Sequence, residues 1–208
     1  MTRTTSSLAA STALLLGLAL AGCSTPQPSG AGTTAPSASG SREITADGAC
    51  AAGEDITVSA KAASAVITGE CGTVTISGTD VHANIDSAKK LVVTGAGAAV
   101  IGKKWDSVES TGAKSSLNAD EITTLTVSGS DTTVVLSRKA GKVTLGGAGG
   151  TLNAHDVQDL TVTGDRNTVV LSGALSGLTV SGSTNTFNWS SGVKVPGSDT
   201  GKSNTYTR

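Results

Sequence analysis

The sequence predicts an all-β protein whose main part is a parallel β-helix, or β-solenoid, of about eight short coils. A repeat of constant length, an apolar–polar alternation inside each repeat, and a composition poor in large side chains support this prediction. Of 208 residues, 27 are glycine and only four are aromatic (two Trp, one Tyr, one Phe). Side chains this small cannot fill the thick core of an ordinary α/β enzyme of this length. We therefore expect a thin fold.

The first segment, residues 1–22, has the features of a lipoprotein signal peptide. A charged start and a short apolar stretch lead to Leu20, Ala21 and Gly22, directly before Cys23. Such a stretch fits a secretory signal and is too short to span a bilayer stably. The ending resembles the lipobox of bacterial lipoprotein precursors, which implies cleavage before Cys23 and acylation of its thiol. A plain thiol near a cleavage site is the alternative. We predict a lipid anchor at the extracytoplasmic face of the cell membrane.

Residues 23–42 are predicted to be the lipidated cysteine and a flexible linker. The part from 24 to 41 carries no charge and three of the four prolines. Such a composition cannot bury enough apolar area to offset the entropy of ordering the chain. We therefore expect a disordered tether that connects the lipid to a β-solenoid domain over residues 43–208.

The body of the chain is one repeat of 17 or 18 residues. Segments such as LTVSG begin at Ile56, Val74, Leu91, Val108, Leu125, Val143, Leu160 and Leu178. A constant interval of this size predicts a solenoid. Apolar residues alternate with polar ones as in a strand, and each repeat supplies three inward sites. Seven of the eight segments close on glycine, which we attribute to a corner conformation that residues with a Cβ resist.

A longer period of two coils lies on an outward position of each repeat. Asparagine and an aliphatic residue alternate there, so that Asn84, Asn118 and Asn153 are separated by Ile101 and Val135. At about 4.8 Å per coil, the asparagines recur every ~10 Å. This stripe is a candidate binding surface.

A second candidate surface is the outward side of the first strand of each repeat. It is rich in threonine and serine, with Thr126, Thr161 and Thr163 as examples. Regular threonine rows on a flat solenoid resemble the ice-binding surfaces of antifreeze proteins, which makes ice or carbohydrate a candidate ligand. Threonine is, however, favoured on any half-exposed strand.

The ends of the solenoid carry the cysteines and most of the aromatic residues. Cys50 and Cys71 lie one coil apart, and we expect a disulfide because an exported protein folds in an oxidising compartment. Their spacing fits no metal or redox motif. Phe187, Trp189 and Tyr206 fall at the closing end, where they are predicted to cover the core.

Other chemical signals in the sequence are weak. A net charge of −1 provides no basic field for nucleic acid. His82 and His155 are four coils apart and cannot share a metal ion. The segment 97–104 has the spacing of a phosphate loop but lacks the Ser or Thr and the helix that the loop needs. We expect no cofactor, no metal and no nucleic-acid partner.

Three charged residues stack on neighbouring coils at one outward position. Asp86, Lys103 and Asp120 place opposite charges next to each other. Such pairs help to define register between strands. We favour this interpretation over a hydrolytic site with paired carboxylates.

The lipobox, the Pro/Ser/Thr linker, one cysteine pair, L-x-V-x-G coils and a closing G-x-x-N-T-[FY] motif together resemble an uncharacterised domain family. It is the family of domain of unknown function DUF3060, found in actinobacterial cell-surface lipoproteins. The resemblance implies a β-solenoid at the cell envelope and no established activity. We expect a non-enzymatic structural or binding module whose partners are the membrane, through Cys23, and a cell-wall component or envelope protein. Adhesion through the Thr or Asn rows is the alternative, and a carbohydrate-active enzyme comes third.

Overall fold

A computed structural model describes residues 40–190 and 197–208 of the chain. Cys23, the expected signal peptide and nearly all of the expected linker lie outside the described residues. Regular structure within the described residues consists of strands alone. In this part of the chain, no helix meets the length and hydropathy that crossing a membrane requires.

The strands follow one another without intervening helices. They are β1 (Arg42–Glu43), β2 (Gly48–Ala49), β3 (Ile56–Val58), β4 (Ser64–Ile76), β5 (His82–Val93), β6 (Ala99–Ser110), β7 (Ser116–Val127), β8 (Thr133–Leu145), β9 (Thr151–Val162), β10 (Thr168–Leu171), β11 (Leu175–Val180), β12 (Thr186–Trp189), β13 (Ser198–Asp199) and β14 (Thr205–Thr207). They form one 14-stranded sheet in which each strand pairs in parallel with a strand of the next turn. The predicted parallel β-solenoid is confirmed.

The register between turns follows the sequence repeat. Ile56 pairs with Val74, Val74 pairs with Leu91, and the same relation continues to Leu160 and Leu178. All eight repeats are therefore turns of the solenoid. Partial turns at both ends bring the total to about nine, because β1 pairs with β3 and β14 pairs with β12. The first strand already includes Arg42, one residue before the expected start of the domain at Glu43.

The core is built from three inward sites in each turn: a pair of residues before the closing glycine, a pair after it, and one further single residue. The site that includes Trp105 forms a ladder of paired residues: Cys71, Ala88, Trp105, Ile122, Ala140, Val157 and Leu175. All seven side chains are buried. Stacking lets each turn bury its apolar residues against the next turn, which no single repeat can do alone.

The closing glycines have a different role from the one expected. None of them has a left-handed backbone; in the turn around Gly147 that conformation falls two residues later, at Gly149 with φ 72°. Asp131 and Arg166, at the equivalent positions of neighbouring turns, have φ of 55° and 56°. A Cβ on Gly147 would instead strike the carbonyl oxygen of Gly129 one turn before. These glycines are required for close stacking of the corners.

The G-x-x-N-T motif places asparagines inside one corner of the last turns. The backbone N–H of Gly150 donates to Oδ1 of Asn167 at 2.8 Å, and the N–H of Asn167 donates to Oδ1 of Asn185 at 2.7 Å. The N–H of Asn185 then donates to Oδ1 of Asn204 at 2.8 Å. Asparagines on consecutive turns therefore satisfy buried backbone donors of the preceding turn.

Aromatic rings close the C-terminal end as expected. The rings of Phe187 and Tyr206 stack with centroids 4.9 Å apart, and Trp189 packs against Tyr206 at 5.6 Å. The Tyr206 hydroxyl donates a 2.6 Å hydrogen bond to Asp199, which holds the pKa of that carboxyl below its usual value.

Candidate binding surface

Asparagine and aliphatic side chains alternate along one outward column of the solenoid. We call it the alternating column. It consists of Val66, Asn84, Ile101, Asn118, Val135, Asn153, Val170 and Asn188, each paired with the next. The two-coil period of the sequence is therefore a continuous feature of the surface, and Asn84, Asn118 and Asn153 lie in one line.

The alternating column exposes both aliphatic and amide side chains. Val66, Ile101 and Val170 are 43%, 53% and 38% exposed, and they are the exposed large hydrophobic residues of the described chain. The side-chain amides of Asn118 and Asn153 make no hydrogen bond with any described residue. Most members of both kinds are thus open to a ligand, whereas Val135 and Asn188 are half-buried.

A second outward column runs beside the alternating column, two residues earlier in each turn, and from Ser116 onward it carries hydroxyl side chains. It was not predicted from the sequence. Its later part consists of threonines on consecutive turns: Thr133, Thr151, Thr168, Thr186 and Thr205. The signal was present, because each of these threonines is the fourth residue after a closing glycine. The predicted threonine surface contains only threonines of the first strand of each repeat.

Shallow grooves recur along the alternating column. Val135, Asn153, His155 and Val170 line one of them. Another lies around Asn84 and Ile101 near the N-terminal end, and a third lies at Asn188. Three shallow depressions therefore lie along the column.

The threonine candidates of the first strand lie in a separate column. Thr126 and Thr161 belong to it, with Thr144 between them, whereas Thr163 is two residues beyond Thr161 in the same turn. Glu109 interrupts this column and forms a 3.0 Å ion pair with Lys90. The structure does not join these threonines to the asparagines, because charged residues such as Asp120 and Glu121 separate the two columns within a turn.

The charged side chains between the columns pair across turns. Lys103 Nζ lies 2.8 Å from Asp86 Oδ1, and this contact lowers the pKa of Asp86 and raises that of Lys103. Asp120 accepts a 2.6 Å hydrogen bond from the Ser137 hydroxyl. These contacts fit the expected role in strand register.

The other residues that the sequence analysis weighed as chemical sites form no such site among the described residues. His82 and His155 are both exposed. The phosphate-loop-like segment 97–104 runs into β6, where Val100 is buried in the core. In the part of the chain that the structure describes, no three His, Cys, Asp or Glu side chains come together as a metal site.

The N-terminal end is closed by a disulfide and an ion pair. The Cys50–Cys71 disulfide is present as expected. Arg42 Nε lies 2.5 Å from Glu54 Oε1, and Glu54 also accepts a hydrogen bond from the backbone N–H of Ala51. These contacts lower the pKa of Glu54 to about 2.

Replacing both Cys50 and Cys71 by serine is expected to lower the free energy of unfolding by about 3 kcal/mol, because the cross-link restricts the unfolded chain. The bond closes a sequence separation of 21 residues. Urea unfolding monitored by circular dichroism measures the change in free energy. The natural chain treated with a reductant should show the same loss, and an unchanged midpoint in both samples would contradict the prediction.

In the comparisons with known proteins, one family model matches part of the repeat region. Residues 58–114 match the family model described as a protein of unknown function, DUF3060. This segment is DUF3060-like. The DUF3060-like segment extends from the end of β3 to just past β6 and includes Asn84 and Ile101 of the alternating column. No curated protein and no solved structure matches the chain.

Proposed function

We propose that the protein is a lipid-anchored, non-catalytic binding module of the bacterial cell envelope, and that the alternating column is its binding surface. Acylation of Cys23 would hold the solenoid at the extracytoplasmic face of the membrane. The Cys50–Cys71 disulfide supports export, because disulfides persist in oxidising compartments. Ion pairs such as Asp86–Lys103 join neighbouring turns and support a structural role for the surface charges.

A contrast between two sets of asparagines in the chain supports the binding role. Where asparagine serves stability, at Asn167 and Asn185, it occurs on consecutive turns and satisfies the preceding turn. In the alternating column the asparagines are two turns apart, and the aliphatic residue between them is exposed at Ile101 and half-buried at Val135. The side-chain amides of Asn118 and Asn153 add no hydrogen bond with a described residue to the fold. We take this repeated exposure of amide and aliphatic side chains along one line as the observation that supports an interaction surface.

Anchoring is tested by Cys23→Ala in a bacterial host that processes lipoproteins. The natural chain is expected in the membrane fraction and to incorporate labelled palmitate. The variant is expected to lose the label and to leave that fraction. A variant that stays with the membrane would contradict the lipid anchor.

Binding through the alternating column is tested separately by cross-linking in intact cells. A photoreactive residue replaces Ile101 in one chain and Glu109, which is exposed in the same turn, in a matched control. Cross-linked envelope material is expected from position 101 and not from 109. Equal products from both positions, or none from either, would refute the role of this surface.

A further inference from the structure

We propose that the alternating column binds a linear, uncharged polysaccharide of β-linked sugars, which lies along the column with one sugar per turn. This inference rests on the proposed function, since it takes the same surface and names the class of its ligand. It draws on the period, the chemistry and the charge of the column.

The period of the column matches a polymer better than a globular partner. Neighbouring turns are about 4.8 Å apart, so equivalent residues of the alternating column recur every ~10 Å. The alternation extends in register from Val66 to Asn188. In an extended β-linked glycan, successive sugars are turned over, so that the same edge recurs at every second sugar. Such a chain can present a repeating edge to a repeating row of amides.

The two kinds of side chain fit the two kinds of surface that a sugar presents. A side-chain amide both donates and accepts hydrogen bonds, as a pair of sugar hydroxyls requires. The amides of Asn118 and Asn153 make no hydrogen bond with another described residue and are available for this role. An exposed aliphatic side chain such as Ile101 can pack against the C–H face of a ring. The threonine column beside it, at Thr151 and Thr168, adds further hydroxyls.

The charge distribution favours an uncharged ligand. Every member of the alternating column is neutral from Val66 to Asn188. Lys103, the closest cation in sequence to Ile101, is already paired with Asp86 at 2.8 Å. An anionic polymer would require a row of free Arg or Lys side chains along its path. Recurring shallow grooves on the column are open at the surface, as a ligand that continues past each of them would need.

The test is co-sedimentation of the purified full chain, in detergent micelles, with insoluble polysaccharides. Chitin and cellulose are neutral and β-linked, and starch granules provide an α-linked control made of the same sugar as cellulose. The chain is expected to sediment with chitin or cellulose and to stay in solution with starch. Equal binding to starch, or no binding to either β-linked polymer, would overturn the proposal.

Three variants locate the binding on the alternating column. Asn118→Ala with Asn153→Ala is expected to weaken binding about tenfold through the loss of two ligand hydrogen bonds. Thr126→Ala with Thr161→Ala, the matched change in the other column, should leave the affinity unchanged. Val135→Asn places three asparagines on consecutive turns. Their amides then pair with one another, so binding should fall while thermal stability stays the same or rises.

The outcomes separate this inference from the proposed function. Full affinity in both the Asn118/Asn153 variant and Val135→Asn overturns the glycan site. Failure to sediment with any glycan, while position 101 still cross-links in cells, shows that the ligand class is wrong and leaves the binding surface intact. A dimer in analytical ultracentrifugation that Val135→Asn dissociates overturns the glycan in favour of a second copy of the chain.

Discussion

Trp105→Ala is expected to lower the free energy of unfolding by about 3–5 kcal/mol, the range for removing a large buried aromatic side chain. Trp105 is 0% exposed and lies in the middle of the core ladder, between Ala88 and Ile122. Its ring fills space that Gly102 leaves empty in the same turn. A Cβ on Gly102 would lie 2.5 Å from Cζ2 of Trp105. Because parallel ladders hold the turns on both sides, the cavity cannot close without breaking register.

The measurement is the midpoint and slope of urea unfolding, followed by circular dichroism because the substitution also removes a fluorophore. Trp105→Phe is the control. It keeps most of the volume and removes the indole N–H, which has no hydrogen-bond partner in the core, so the loss should stay below about 1.5 kcal/mol. A cost below about 1 kcal/mol for Trp105→Ala would show that the core collapses around the vacancy.

Register and the inward residues could be read from the sequence because a solenoid converts sequence spacing directly into spatial neighbours. Once Val108 and Leu125 are equivalent positions of successive repeats, their pairing follows, and so does that of Trp105 with Ile122. The packing of the large Trp105 ring against the small Gly102 could not be predicted from the repeat spacing. It depends on side-chain packing within one turn, which the repeat interval does not describe.

The candidate surface was predicted in part for the same reason. The alternation at Asn118 and Val135 is visible in the sequence and is continuous in the structure. The threonine column at Thr133 and Thr151 was not predicted, although its members occupy equivalent positions of the repeat and pair directly. Asn118 and Thr126 lie in separate columns because they occupy different positions of the repeat. Charged residues lie between them within the turn and interrupt the neutral surface.

The corner was the part of the turn that the sequence described least well. Glycine has two distinct uses, a left-handed backbone and close approach of another chain segment, and a sequence pattern alone does not separate them. Gly149 serves the first use, with φ 72°, and Gly147 serves the second. Non-glycine residues such as Asp131 and Arg166 adopt the left-handed conformation in neighbouring turns, so no repeated glycine marks that position in the sequence.

The neighbouring glycines Gly146 and Gly147 provide the sharpest test of this distinction. Gly147→Ala is expected to lower the free energy of unfolding by about 3 kcal/mol, at the upper end for overpacking. The added Cβ would strike the Gly129 carbonyl oxygen, and its distance to the carbonyl carbon would be 2.8 Å. Because the obstacle is backbone at the corner of the preceding turn, no side-chain rotation relieves it, and the two turns must separate.

Gly146→Ala should have the opposite sign. Its Cβ would meet nothing closer than 3.5 Å, and its backbone is not left-handed. The substitution therefore acts mainly on the unfolded chain and should stabilise the protein by about 0.4–1 kcal/mol. Urea unfolding of the two variants side by side decides the role of the closing glycines. If both alanine variants change the free energy of unfolding alike, the closing glycines are not needed for stacking. The corners would then tolerate a wider spacing between turns than the structure shows.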